Sequence, residues 1–293
     1  MEIKTLKITD KEYPEILKEI NDPPKLLYYR GNLDALNKQP AIAVVGTRRC
    51  SDYGKEATKK ITSGLAKAGV CIVSGMARGI DSYAHEAAIE NGAPTVAVLG
   101  SPVADKEIYP QNNVKLAHKI IKAGGIIMSE YEEGSLGHPG QFPQRNRIVA
   151  GLSNGTLVVE APVKSGAMIT ARLALDYNRD VYAVPGSIFS YRSEGCNQLL
   201  ARGAKCVGNS NDILEDFDLN YTMDLDTPRA GIAGLEKDEL EILNIISRSP
   251  ESIHIDKIIR TVQLDAEKVP QIITSLMLQD LIKESGSNSY IAL

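Results

Sequence analysis

The 293-residue sequence carries four cysteines, Cys50, Cys71, Cys196 and Cys206, and no two of them form a CxxC pair, so a disulfide framework is not expected. His85, His118, His138 and His254 show no HExxH or other ligand spacing, which excludes the familiar zinc patterns and leaves no metal site expected. No stretch approaches the roughly 18 to 20 apolar residues of a membrane span, and the start MEIKTLKITD lacks an apolar signal core. The cytoplasm is the default compartment. The sequence has neither GxGxxG nor a glycine run followed by Lys-Ser/Thr, so the dinucleotide and P-loop readings both fall and no cofactor is expected. No serine lies in a GxSxG elbow and no base is paired in sequence with Cys50, so no catalytic residue is assigned.

What is present is a globular composition, 43% hydrophobic and 24% charged, enough for a large core with a satellite domain. The net charge of -4 is unevenly spread: residues 1–40 are neutral, 41–208 carry +5 and 209–293 carry -9. A basic centre and an acidic end face different partners.

From Ala41 onward short apolar runs recur: AIAVVG at 41–46, VCIVSG at 70–75, TVAVLG at 95–100, GIIMSE at 125–130, GTLVVEA at 155–161 and VYAVPG at 181–186. Helical patterns separate most of them, such as SDYGKEATKKITSGLAKAG and SGAMITARLALDYNRD. Strand and helix in alternation, with strands apolar throughout, predict an α/β fold with a doubly wound parallel sheet covered on both faces. Gly69, Gly92 and Gly124 fit helix C-caps. Residues 1–40 read as a lead-in packing on the core, 41–208 as the main domain and 209–234 as an acidic linker. Residues 235–293, three helical patterns and a terminal hairpin around GSNS, read as a small winged helix. Its net charge of -4 argues against groove binding and for protein contacts.

Open parallel sheets place ligands at the C-terminal ends of their strands. There the first run ends in Gly46, Thr47, Arg48 and Arg49, with Ser51 or Asp52 as helix cap. The second offers Gly75, Arg78, Gly79 and Asp81, of which Asp81 is expected to cap its helix or hold Arg78 rather than catalyse. In GQFPQRNRIVAGLSNGTLVVEAPVKSGAMITA, Arg145, Arg147 and Lys164 bracket a strand, and Phe142 is placed to stack on a base. Gly155 and Thr156, with Gly151 and Ser153, are expected to form an anion-binding turn, and Lys164, Ser165 and Gly166 to lead into a helix N-terminus that favours a negative ligand. Glu130 and Glu160 are either an acid/base pair or anchors for Arg145 or Arg147; the anchoring role is preferred. Each basic residue taken alone is equally an ordinary solvated side chain.

GTRRCSDYG, SGMARGIDSYAHEAA, FPQRNRIVAGLSNGTLVVEAPVKSGAMITARLA and AVPGSIFSYRSEGCNQLLARGA, in this order, resemble the DNA-processing protein A family, DprA or Smf. The resemblance covers about residues 10–210 and extends to a winged-helix tail found in many members; it implies a form without the N-terminal extension of some relatives. It implies an extended Rossmann-like domain, homodimeric and non-catalytic, that binds and protects single-stranded DNA in natural transformation and helps load a RecA-type recombinase. The family's DNA pocket maps onto Arg48, Arg78, Arg145 and Lys164, with Arg147 in a supporting role. Departures are Thr47 in place of the family's serine, and YEEG, with Glu132 and Glu133, in place of YPPG. Two other readings stand beside it: a nucleoside-monophosphate phosphoribohydrolase-like enzyme, suggested by NGTLVVEA although Glu160 falls one residue late and the paired glycines are missing, and a protein-interaction scaffold, suggested by the acidic tail.

Overall fold

The computed structural model describes residues 2–37, 40–135, 137–219 and, from 235 onward, all but 248, 250, 251, 263, 266, 267, 280, 287 and 293. The chain divides into two compact units, Met1–Tyr221 and Thr222–Leu293.

In the first unit the six apolar runs become β3 (Ala41–Val45), β4 (Cys71–Ser74), β5 (Thr95–Leu99), β6 (Ile126–Ser129), β7 (Gly155–Val158) and β8 (Asp180–Ala183). They pair in parallel with a short β9 (Lys205–Cys206). The lead-in does more than pack on this sheet: β1 (Lys4–Lys7) and β2 (Leu26–Gly31) extend it antiparallel to β6, with α1 (Glu15–Lys18) between them. The full order is β1-β2-β6-β5-β4-β3-β7-β8-β9. The chain starts the parallel part at β3, walks outward to β6, then crosses back to lay β7 on the other side of β3. That reversal leaves the crevice of a doubly wound sheet beyond the C-terminal ends of β3 and β7.

Alternation along the strands explains why they are apolar throughout. Ala41, Ala43 and Val45 face one core, packed with Ile148, Val149, Ala167 and Ala171 of α5 (Gln141–Gly151) and α6 (Gly166–Asp176). Ile42 and Val44 face the other, with Ile61 and Leu65 of α2 (Asp52–Lys67) and Ile80 and Ala84 of α3 (Ile80–Glu90). Leu65 is fully buried, and truncating such a side chain to alanine costs about 2–5 kcal/mol. α4 (Val114–Lys122) covers β5 and β6 through Leu116, Ala117 and Ile120. Gly69 and Gly124 end α2 and α4 with φ of +82° and +83°, as the sequence suggests.

GQFPQRNRIVAG forms α5, because the apolar residues Ile148 and Val149 bury against the sheet one turn beyond Arg145. One local expectation fails. Gly155 and Thr156 do not form an anion-binding turn. They open β7, buried and paired with Ile42 and Ala43, at the opposite end of the strand from the crevice.

α7 (Glu194–Ala201) follows β8, and residues 209–219 include α8 (Asn211–Leu214), whose Ile213 and Leu214 are buried in the α2/α3 core. The remainder of the stretch expected as a linker, residues 220–234, lies outside the described residues. The second unit contains α9 (Lys237–Ser247), β10 (Ile253–His254), α10 (Ile255–Thr261), α11 (Val269–Leu278), β11 (Ile282–Gly286) and β12 (Ser289–Ala292). Its three strands form a separate sheet in the order β10-β12-β11, over a core of Ile242, Ile246, Ile258, Ile273 and Leu276. Ser287 of the GSNS turn lies outside the described residues.

Candidate nucleic-acid interface

The crevice at the β3/β7 reversal holds a cavity of about 740 Å³ that opens into a second of about 340 Å³; Arg48, Arg49, Gly75, Tyr109, Phe142 and Arg145 line both. The loops after β3, β4, β5, β6, β7 and β8, with residues of α5 and α6, supply the walls.

The loop after β3 is fixed by Glu160 from the neighbouring strand end. The Glu160 carbonyl accepts from the Thr47 amide at 2.7 Å, and its carboxylate accepts from the Ser51 amide at 2.8 Å and the Ser51 hydroxyl at 2.7 Å. Ser51 in turn caps α2, its oxygen accepting from the Gly54 amide. Glu160 therefore anchors this loop, not Arg145 or Arg147. Gly46 is required here, since a Cβ would enter Ile80 and the Glu160 carbonyl. The result is a rigid turn presenting the exposed Arg48 and Arg49. The Arg48 guanidinium stands 5.8 Å from the centre of the Phe142 ring, which also meets Tyr109 at 5.3 Å between centroids.

After β4, Asp81 neither caps through a neighbouring side chain nor holds Arg78. Its carboxylate accepts from the amides of Gly75 and Ala77, both at 3.2 Å. Gly79, with φ of +78°, lets this loop touch the carbonyls of the Arg48 loop. Arg78 projects exposed into the smaller cavity.

Arg145 differs from the free cation expected. It is 6% exposed, and its Nη1 donates to the carbonyls of Gly75 and Val98, so its guanidinium forms the floor of the crevice. Burial holds its pKa down to about 10, opposed by nearby Asp81; burial also pushes the Asp81 carboxyl up, opposed by Arg145. Arg147 points away and donates to both Glu130 oxygens, at 2.6 and 2.9 Å, and to Asp22. Arg147 thus joins Glu130, after β6, to Asp22 of the lead-in.

On the far wall Lys164 is exposed and precedes Ser165 and Gly166 at the start of α6. Among the described residues no side chain caps that terminus, and Lys164, Ser165, Gly166 and Thr170 line the cavity there. Arg48, Arg49, Arg78 and Lys164 make no salt bridge among the described residues. Glu133, one of the two acids of YEEG, pairs with Lys106 at 3.3 Å. Tyr109 and Tyr191 also line the crevice and were not singled out by sequence; neither stands in a pattern that marks it. The structure thus gathers Gly46, Thr47, Arg48, Gly75, Asp81, Phe142, Arg145, Lys164, Ser165 and Gly166, adds Arg78 through the second cavity, and leaves Gly79, Arg147, Gly155 and Thr156 outside the lining. Among the described residues no helix is long and apolar enough to cross a membrane, and no cluster of His, Cys, Asp and Glu is arranged to hold a metal ion.

The sequence profile of the family DNA recombination-mediator protein A matches residues 4–218. DNA processing protein DprA of Streptococcus pneumoniae is 44% identical over 211 residues, 72% of this chain and 73% of that protein. Protein Smf of Synechocystis is 45% identical over 208 residues, 70% of this chain and 52% of that protein. Among solved structures, DNA processing protein A of Helicobacter pylori, described for its single-stranded DNA binding mode, superposes with a TM-score of 0.66 at 34% identity, covering 74% of this chain and 96% of that one. With the fold, the motif order and these matches in agreement, the chain belongs to the DNA recombination-mediator protein A family, the DprA/Smf proteins.

Proposed function

We propose that the crevice binds single-stranded DNA without catalysis, protecting it and passing it to a RecA-type recombinase in natural transformation. The observation that carries this reading is the set of exposed cations without salt bridges, Arg48, Arg78 and Lys164, around the Phe142 ring. Cations at successive loops neutralise phosphates, the open N-terminus of α6 accepts one more, and an aromatic ring takes a base by its face with little regard to sequence. The Helicobacter relative, described for single-stranded DNA binding, supports the same substrate. The family's designation as a recombination mediator supports hand-over to a recombinase. On this reading the protein acts as a homodimer in the cytoplasm.

The phosphoribohydrolase alternative needs Glu160 free to meet a substrate. Glu160 is 1% exposed, and both its oxygens are engaged by Ser51. The acidic second unit suits a protein contact better than a DNA groove. The test is a binding titration of the whole chain against single- and double-stranded DNA over a salt series. Tight single-strand binding that weakens steeply with salt is expected; failure to bind either form overturns the reading.

A further inference from the structure

Phe189 is 93% exposed, Ile188 81%, Tyr191 55% and Tyr53 51%, and all four belong to or touch the loop between β8 and α7. Scattered exposed apolar side chains are ordinary, but here two exposed rings stand two residues apart on a loop that is tightly held, with Tyr53 of α2 bonded to its start. The Gly186 carbonyl accepts from Asn197 of α7 at 3.0 Å, and the Pro185 carbonyl accepts from the Tyr53 hydroxyl at 2.6 Å. Turn bonds from Ser190 to the Ser187 carbonyl and from Ser193 to that of Ser190 shape the stretch between. So the loop holds Phe189 outward on a fixed support, although burying such a ring is worth about 1.5–3 kcal/mol.

The cluster is continuous with the crevice. Tyr191 lines the larger cavity together with Arg48, Arg49 and Lys164. Arg192 joins the two loops: its Nε donates to the Arg49 carbonyl at 2.9 Å, and its guanidinium stands 5.1 Å from the centre of the Tyr191 ring. Arg49 and Arg192 make no salt bridge among the described residues, and the acid nearest in sequence, Glu194, lies in the first turn of α7. Ring faces alternating with unneutralised arginines fit the bases and phosphates of a single strand. An apolar protein partner would leave the two arginines unanswered.

We propose that this loop is a second stacking ledge, on which Phe189 and Tyr191 take bases of a single strand leaving the crevice while Arg49 and Arg192 neutralise the phosphates between them. The proposal rests on the crevice binding single-stranded DNA, and it adds a direction: strand length beyond the crevice is gripped toward β8.

The test compares oligothymidylates of about 4 and about 16 nucleotides, the span of single-strand site sizes, by fluorescence anisotropy. Wild type is expected to gain affinity with length, and to lose that gain when the added nucleotides are abasic. Phe189→Ala is expected to weaken the long strand about ten-fold with the short strand unchanged, and Phe189→Trp to restore it. Equal long-strand affinity in wild type and Phe189→Ala overturns the ledge, as does equal loss at both lengths. A wild type whose affinity does not grow with length overturns the ledge but leaves the crevice standing. A wild type that binds no strand overturns both. A Phe189→Ala protein that changes its sedimentation coefficient while keeping long-strand affinity assigns the loop to self-association instead and overturns the proposal.

Discussion

Arg145 and Asp81 are tied to the two ends of one residue: the Gly75 carbonyl accepts from Arg145 Nη1, and the Gly75 amide donates to Asp81. Both side chains are buried, and each is the main favourable charge near the other. The pair sets the loop that carries Arg78, so Arg145 belongs to the framework of the site as well as to its surface. Arg145→Ala leaves Asp81 buried without its counter-charge and should cost about 3–5 kcal/mol in urea unfolding, whereas the exposed Arg48→Ala should cost less than about 0.5 kcal/mol. Equal unfolding midpoints for the two variants would contradict this division.

Arg48 and Phe142 touch but should act on different terms of binding. Arg48→Ala removes a phosphate partner, so the slope of log affinity against log salt for a single strand should shrink by about 0.7 per lost contact. Phe142→Ala should weaken binding by about 1–3 kcal/mol with the slope unchanged. A salt titration of each variant separates the two effects.

The sheet was legible because its strands are buried on both faces and so read as unbroken apolar runs, most of them followed by a glycine or small polar residue. β1 escaped because KTLK is mostly exposed at the sheet edge and has one buried position, Leu6. α5 escaped because its first turns carry Phe142, Pro143 and two arginines, and its apolar residues cluster only at its C-terminal end. Among the site residues, chain position at a strand end identified Arg48, Arg78 and Lys164. It did not reveal which cations are neutralised. Arg145 and Arg147 are two residues apart on one helix, yet one faces the crevice and the other the Glu130 carboxylate, a difference set by helical rotation and by a partner 17 residues away. Glycine content misled at Gly155, where the small residue serves close packing on Tyr182 and not an anion.

His85 is fully buried, with Nδ1 2.7 Å from the Thr95 hydroxyl, which itself donates to the Ile72 carbonyl. Thr95 must therefore accept from Nδ1–H, leaving the Nε2 lone pair buried without a partner. Burial, with a smaller contribution from Arg145, lowers the His85 pKa to about 3. Because the folded value lies below the ordinary 6.5, the unfolded chain binds the extra proton between those limits. Stability from this residue is complete above about pH 6.5 and falls by up to about 1.4 kcal/mol per unit as the pH drops toward 3. His85→Gln should flatten that limb of a urea-midpoint profile above the carboxylate range. An unchanged slope between about pH 6.5 and 5 would show that His85 is not its source.

Glu160 and Ser51 give the last prediction, because their two hydrogen bonds hold the loop that presents Arg48. Glu160→Leu removes both acceptor oxygens, so both bonds are lost and the Ser51 amide is left unsatisfied, at about 1–3 kcal/mol. The freed loop no longer holds Arg48 over Phe142. Amide exchange at Thr47 and Ser51 should accelerate, and single-strand affinity should fall while the salt slope stays near that of wild type. Ser51→Ala removes the cap and one bond but keeps the carboxylate, so a smaller loss of about 1 kcal/mol in stability is expected. A catalytic Glu160 would behave differently: the leucine variant would abolish base release from a nucleoside monophosphate with amide protection at Thr47 and Ser51 unchanged. Exchange measured beside a base-release assay on the same variant distinguishes a loop anchor from an active-site acid.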